Sequence, residues 1–411
     1  MRTVPSLFGR RALSVLSAVL LFAATTFAST EKVLYNFTGT PDGDEPYAGV
    51  VFDVSGNLYG TTHYGGANKD GSVYKLTPGT GGKWTETVIY SFTGGNDGYS
   101  PYGDLIVDAS GSLYGTAQQG GTLGHGVVFK LTLGTGGKWT QSVLHNFGSG
   151  TEGSMPTGSL VFDTAGNLYG TTYSGSTFSY GAVYELSPAT GGRWSVHTLH
   201  IFNNNGHDGT DPLAGLILDS AGNLYGTTKY GGANNNGVVF ELTKGTNGKW
   251  TETLLHTFNP ANGKDGALPI GRLIMDSAGN LYGTTSSGGA GIFYGIVYEL
   301  SKNTSGKWVE TVIHGFGDSS DGGEPQSSLA IDSAGNIYGT TYAGGTAGGV
   351  LFKFTKGSTG KWTETVLHNF GLQSDGKNSD SSLIWDAAGN LYGTTQNGGT
   401  GGVGVVFEVT P

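Results

Sequence analysis

The ten residues "DSAGNLYGTT", 219–228, recur letter for letter at 276–285. Around them the chain repeats the same text more loosely. Tyr59, Tyr114, Tyr169, Tyr225, Tyr282, Tyr338 and Tyr392 each stand in Leu/Ile-Tyr-Gly-Thr, at intervals of 55, 55, 56, 57, 56 and 54 residues. A period this regular marks a repeat architecture. In the third unit four runs, "GSLVFD" (158–163), "LYGTTYSG" (168–175), "GAVYELS" (181–187) and "WSVHTLHIF" (194–202), are rich in β-branched and aromatic residues and separated by Gly, Asn and Asp. That is strand-and-turn composition. Four strands per unit predict a blade, and seven units predict an all-β fold, a seven-bladed β-propeller.

The link after the fourth strand is long and variable, "NFTGGNDGYSPYGD" in one unit and "IFNNNGHDGTDPLAG" in another. In a propeller such a link joins the outermost strand of one blade to the innermost strand of the next, so "SLVFD" is placed innermost. Its core of Leu160, Val161 and Phe162 predicts a strand buried on both faces. Residues 31–37, "EKVLYNF", have the fourth-strand pattern with no blade before them, and the chain ends on "GVVFEVTP" after a third strand. Seven strands of each kind are reached only if 31–37 complete the last blade and seal the ring through ladder hydrogen bonds.

Residues 1–28 read differently. Arg2, Arg10 and Arg11 precede an apolar run over 12–24, and "TFA" ends at Ala28. This is the pattern of a secretory signal peptide, which leaves 29–411 as the propeller in a secreted or periplasmic protein. The chain carries 21 Lys plus Arg against 31 Asp plus Glu; without the three leader arginines the balance is 18 − 31 = −13. Such a surface disfavours nucleic acid and anionic lipid, and no second apolar run offers a membrane span. With no cysteine, thiol catalysis, disulfides and thiolate metal sites are excluded. A monomer is expected.

The pattern Phe-x-Gly…Asp-Gly-x-x-Pro-x-x-x-Leu-x-x-Asp-x-x-Gly-Asn-Leu-Tyr-Gly-Thr-Thr-x-x-Gly-Gly…Gly-Val-Val-Phe resembles the GloVer-type tandem repeat of bacterial secreted proteins over almost the whole mature chain. Its Pro…Asp-x-x-Gly-Asn-Leu-Tyr core is more loosely similar to NHL-type propeller repeats. The resemblance implies location and repeat count and brings no catalytic residues to transfer.

Blade strands alternate in direction, so one face of the disk carries the short Asp-x-x-Gly-Asn and "PGTGGK" turns and the other carries the long Asp-Gly links and the Gly-Gly loops. Variable loops on a rigid scaffold are where binding residues ride, which makes the long-loop face the candidate surface. The turn acids Asp53, Asp108, Asp163, Asp219, Asp276, Asp332 and Asp386 are read as accepting the amides of their own turns. Of the acids before glycine in the long links, Asp97, Asp208, Asp265 and Asp321 are taken as ligand contacts for a sugar hydroxyl or a Ca²⁺ ion. No other cofactor and no metal ligand set is read. His145, His200, His256, His314 and His368 share a slot with Tyr35 and Tyr90, which reads as ring packing. The tryptophans that open the outer strands are read as rim packing.

Departures from the repeat single out further residues. His125, Phe178, Tyr180, Phe293 and Tyr294 put rings into Gly-Gly loops where other copies have Asn, Gly or Ala, and rings on such loops suit stacking against sugars or clamping a partner. At the inner-strand starts, where most copies carry Gly or Ser, Asp104 and Arg272 differ, and Asp380 stands two positions earlier in the slot of Tyr47 or Leu213. The expected function is a non-enzymatic, lectin-like binding propeller with several glycan sites. The alternatives are a polysaccharide-cleaving lyase or hydrolase built from Asp104, Arg272, Asp380 and His207 at the channel mouth, and a scaffold for extracellular proteins.

Overall fold

The computed structural model describes residues 29–148, 150–289, 294–317, 320–371 and 374–411; the leader and Phe293 lie outside them. Seven antiparallel sheets of four or five strands follow one another along the chain, besides three two-stranded ladders. In blade 4, Ile217–Leu218, Leu224–Thr228, Val238–Lys244 and Trp250–Thr257 pair in sequence order. Each unit repeats that order, so the seven sheets form the seven blades of a β-propeller. Among the described residues the only helical elements are three short 3₁₀ turns.

The last sheet settles how the ring closes. Thr30–Asn36 pairs with Val405–Thr410, from Thr30 opposite Thr410 to Asn36 opposite Val405, and so forms the outer strand of blade 7. Phe37, just past this strand, is fully buried and meets Tyr74 of blade 1 edge-on at 5.0 Å. The first residues of the propeller therefore bind its last blade and its first.

The core lies between blades. The Leu-Tyr-Gly-Thr-Thr core of each second strand, so spelled in most copies, is buried throughout. Its glycine is required by close approach: a Cβ on Gly226 would sit 2.6 Å from the Phe240 ring. Clusters of buried residues join neighbouring blades, as where Tyr59 and Val73 of blade 1 pack with Leu113 and Phe129 of blade 2. The innermost strands differ from expectation. Val161–Phe162 is a two-residue ladder, and both residues are half-buried; Leu160 alone is closed off, at 1% exposure. Phe162 meets Tyr114 of the preceding blade at 5.1 Å and Val161 packs against the cluster joining blades 3 and 4, so the strand contacts both neighbours without either residue being closed off.

Two local devices shape the long-loop face. Every outer strand carries a bulge in its pairing with the third strand, immediately before the His or Tyr slot. A bulge bends the strand and re-aims the residue that follows. The Asp-Gly links also pair with the Gly-Gly loops, as Gly209–Thr210 does with Tyr230–Gly231, so these loops are tied down by ladder hydrogen bonds.

Candidate functional site

The Asp-x-x-Gly-Asn turns do structural work. Asp219 accepts from the amides of Ala221 (2.9 Å) and Asn223 (2.8 Å), from the Asn223 side chain (2.9 Å) and from the Tyr225 hydroxyl (3.2 Å). Burial acts to raise this carboxyl, but the four donors outweigh it and hold it below the usual range. The tyrosine at the centre of the repeat signature is thus a strut of the turn, a role its spacing alone did not disclose.

The channel is where the copies diverge. Successive inward-facing positions of the seven inner segments stack three layers deep, because alternate residues of an extended chain share a face. The deepest layer holds Asp104, Ser159, Arg272, Ser328 and Ser382 with glycines at 49 and 215. The next holds Tyr47, Tyr102, Thr157, Leu213, Ile270, Gln326 and Asp380. Together they line one cavity, open to solvent, with about 470 Å³ of space outside protein atoms.

Asp104, Arg272 and Asp380 therefore meet in one cavity. Asp104 reaches past Gly49, accepting its amide at 2.8 Å, to take the Ser382 hydroxyl at 2.6 Å. A side chain at 49 would collide with the Ser382 backbone, at 2.6 Å from its carbonyl oxygen. Asp380 accepts from Gln396 at 2.5 Å. Burial, joined by the charges of Asp104 and Glu45, pushes it up to about 7 against the pull of that hydrogen bond. The Arg272 Nε is buried with no hydrogen-bond partner. His207 stands apart, exposed on its link with its amide held by Asn205.

The outermost layer escaped the sequence reading. Glu45, Ser100, Met155, Asp211, Leu268, Glu324 and Asn378 occupy equivalent places, all with φ between 52° and 59°. For residues with a Cβ this backbone is strained, and such strain clusters at functional sites. Each amide is clamped to a loop of the preceding blade, as Asp211 is to the Tyr180 carbonyl at 3.0 Å. The most variable position of the inner segment is thus fixed at the mouth. Its sequence signal was a residue of any type before proline in six of the seven copies.

Phe178 and Tyr294 are 52% and 44% exposed on the long-loop face, joined by Tyr64 at 44%. His125 is exposed there also. Tyr180 is half-buried against the cluster around Phe202. Trp84, Trp139 and Trp250 pack edge-on against tyrosines of the preceding blade, Trp139 against Tyr59 at 5.9 Å.

The acids of the long links are turned inward. Asp208 and Asp265 are each 4% exposed, and each sits at the seam between two blades beside the bulged-out ring. Asp97 accepts the Tyr90 hydroxyl at 2.8 Å. His200 Nε2 lies 3.2 Å from Asp208 and 3.7 Å from Glu252 of the next blade. His256 stands likewise to Asp265 (3.2 Å) and Glu310 (3.8 Å), and His314 to Asp321 (3.0 Å) and Glu364 (3.6 Å). Glu31, His368 and Asp375 form the fourth such set. Burial raises Glu252 to about 8 and Glu310 to about 7. It also acts to lower His200, whose bond to Asp208 and the nearby carboxylate charges outweigh it and raise the imidazole. The histidine slot is therefore more than ring packing. The third member was missed because it lies about 50 residues downstream, in the next repeat.

A family model described as the Gloeobacter/Verrucomicrobia repeat matches residues 17–216, 138–347 and 214–411. No curated protein matches. Among solved structures, a protein from Lactobacillus plantarum superposes with a TM-score of 0.53 at 16% identity, over 83% of this chain and 89% of its own. A hypothetical selenium-binding protein from Sulfolobus tokodaii gives 0.53 at 11% identity, over 75% and 74%. At these identities the likeness is one of fold.

Proposed function

The chain belongs to the Gloeobacter/Verrucomicrobia repeat family, and we propose that it works outside the cytoplasm as a non-enzymatic binding propeller whose long-loop face takes glycans. One observation carries this reading. The exposed rings of Tyr64, Phe178 and Tyr294 lie on second-to-third-strand loops of the face into which the polar cavity opens. Rings offer flat platforms for the apolar faces of sugars, while Asp104, Asp380, Arg272, Tyr47 and Tyr102 offer hydroxyl partners in the cavity. Loops from several blades give related, non-identical contacts, which suits weak sites gaining by multivalency. A glycan array followed by calorimetry tests it. Binding with a stoichiometry above one is expected, and Phe178→Ala and Tyr294→Ala should each weaken it about tenfold or more; unchanged affinity in both removes these loops from the site.

A second reading rests on the cavity itself. Asp380, pushed up to about 7, is a carboxylic acid able to donate near neutrality, beside a second carboxylate in Asp104. Two acids with different environments are the equipment of acid-base cleavage of a glycosidic bond. Release of reducing ends that stops in Asp380→Asn supports this alternative, whereas tight binding without cleavage favours the first.

A further inference from the structure

We propose that the four His–Asp–Glu seams are binding sites for a divalent transition ion of the zinc class, one ion clamping each pair of neighbouring blades. The geometry comes first. Within each set one donor atom from every residue lies within 4.8 Å of the others. His Nε2 stands 2.9–3.2 Å from the nearest Asp oxygen and, where Glu252, Glu310 and Glu364 complete the set, 3.6–3.8 Å from the Glu. Ligands held about 2.0–2.2 Å from a tetrahedral ion are roughly 3.3–3.6 Å apart. The observed separations bracket that value, so small side-chain shifts would admit the ion.

Unpartnered oxygens give independent support. Asp375, with a side chain only 6% exposed, keeps Oδ1 without a hydrogen-bond partner, and buried Oε1 of Glu31 has none either; Oε1 of Glu252 and of Glu310 makes no hydrogen bond and meets its histidine at 3.7 and 3.8 Å. Buried carboxylate oxygens without donors are costly, and a cation satisfies them. The donor set selects its class: two carboxylates neutralise a divalent charge, and an imidazole nitrogen favours zinc-like ions over magnesium or calcium.

The three remaining seams serve as internal contrast. At two of them tyrosine replaces histidine, and the hydroxyls of Tyr35 and Tyr90 satisfy Asp42 and Asp97 directly, each at 2.8 Å. At the third, His145 and Glu152 remain, but Val196 stands where the other strand would supply Glu. Among the described residues the full set occurs at four seams. The inference stands apart from the glycan reading, since these sites lie at the seams between outer strands, away from the channel.

Full-length mature protein stripped by a chelator, then titrated calorimetrically with zinc chloride, tests it. A stoichiometry near four is expected, matching the four sets, together with a higher melting temperature. Cobalt substitution should give the intense visible bands of tetrahedral Co²⁺. His256→Gln and the nearly isosteric Glu310→Gln should each bring the stoichiometry near three and remove about a quarter of the cobalt absorbance, whereas Tyr35→Phe should change neither. Absence of zinc binding to the stripped protein, an undiminished stoichiometry in both variants, or displacement of zinc by equimolar calcium overturns the assignment.

Discussion

Replacing Asp380 by asparagine should make the protein more stable in a way that depends on pH. The native carboxyl is raised from 3.8 to about 7, chiefly by burial. Between those values the folded protein binds a proton that the unfolded chain releases, so stability falls as pH rises through the window. The wild type thus carries the full penalty above about pH 7 and none below about pH 4. Three pH units at about 1.36 kcal/mol each set a ceiling near 4 kcal/mol, and water in the open channel screens part of it. Asparagine keeps an acceptor for Gln396, which now donates at 2.5 Å, and has no charge to desolvate. The expected gain over wild type is about 2 kcal/mol at pH 8, vanishing toward pH 4.5. Urea denaturation of both proteins at the two pH values measures it, and the seam acids cancel because both proteins share them. A difference that does not change with pH, or a variant less stable at pH 8, would refute the account of Asp380 as a desolvated acid.

Deleting residues 29–40 removes the outer strand of blade 7 and the burial of Leu34 and Phe37, and should lower the melting temperature by about 10 °C or more; an unchanged melt would sink the closure. Phe37→Ala alone should cost about 3–5 kcal/mol in urea denaturation, as for other fully buried phenylalanines. Asp219→Ala leaves three donors of its turn, the Ala221 and Asn223 amides and the Asn223 side chain, without an acceptor, while the Tyr225 hydroxyl keeps Glu241 at 2.9 Å, and should cost about 1–3 kcal/mol. Tyr184→Phe should be neutral or stabilising by up to about 1 kcal/mol: its hydroxyl is fully buried without a partner, and the same slot holds Phe129, Phe240, Phe352 and Phe407 in four other blades. Destabilisation on that change would mean the hydroxyl has a partner the geometry does not reveal.

What could be read from the sequence depended on where the partners of each residue come from. The turn of Asp219 draws every donor from the next six residues, so one repeat contains its whole explanation and seven copies confirm it. The channel residues were legible for a different reason. Asp104, Arg272 and Asp380 come from three blades, yet each is a departure in a known register, and rotational symmetry carries equal registers to equal radius and height. The mouth layer of Glu45 and its counterparts obeyed the same register, but it escaped because variability alone does not announce a strained backbone. The seams were hidden by phase. Their histidine and aspartate belong to one repeat and their glutamate to the next, and the ring joins Glu31 at the start of the propeller to His368 and Asp375 near its end. Comparing units position by position cannot expose such a set. Comparing each unit with its successor does: glutamate in the following outer strand accompanies histidine at four seams and fails at the seams of His145 and Tyr90, where Val196 and Gln141 stand instead. Only the seam of Tyr35 keeps both acids without the imidazole, and there the tyrosine hydroxyl, 2.8 Å from Asp42, supplies the donor that an ion or a histidine would otherwise replace. In a closed ring the interface between repeats is itself a repeating unit, and its residues vary together because they must balance one another's charge.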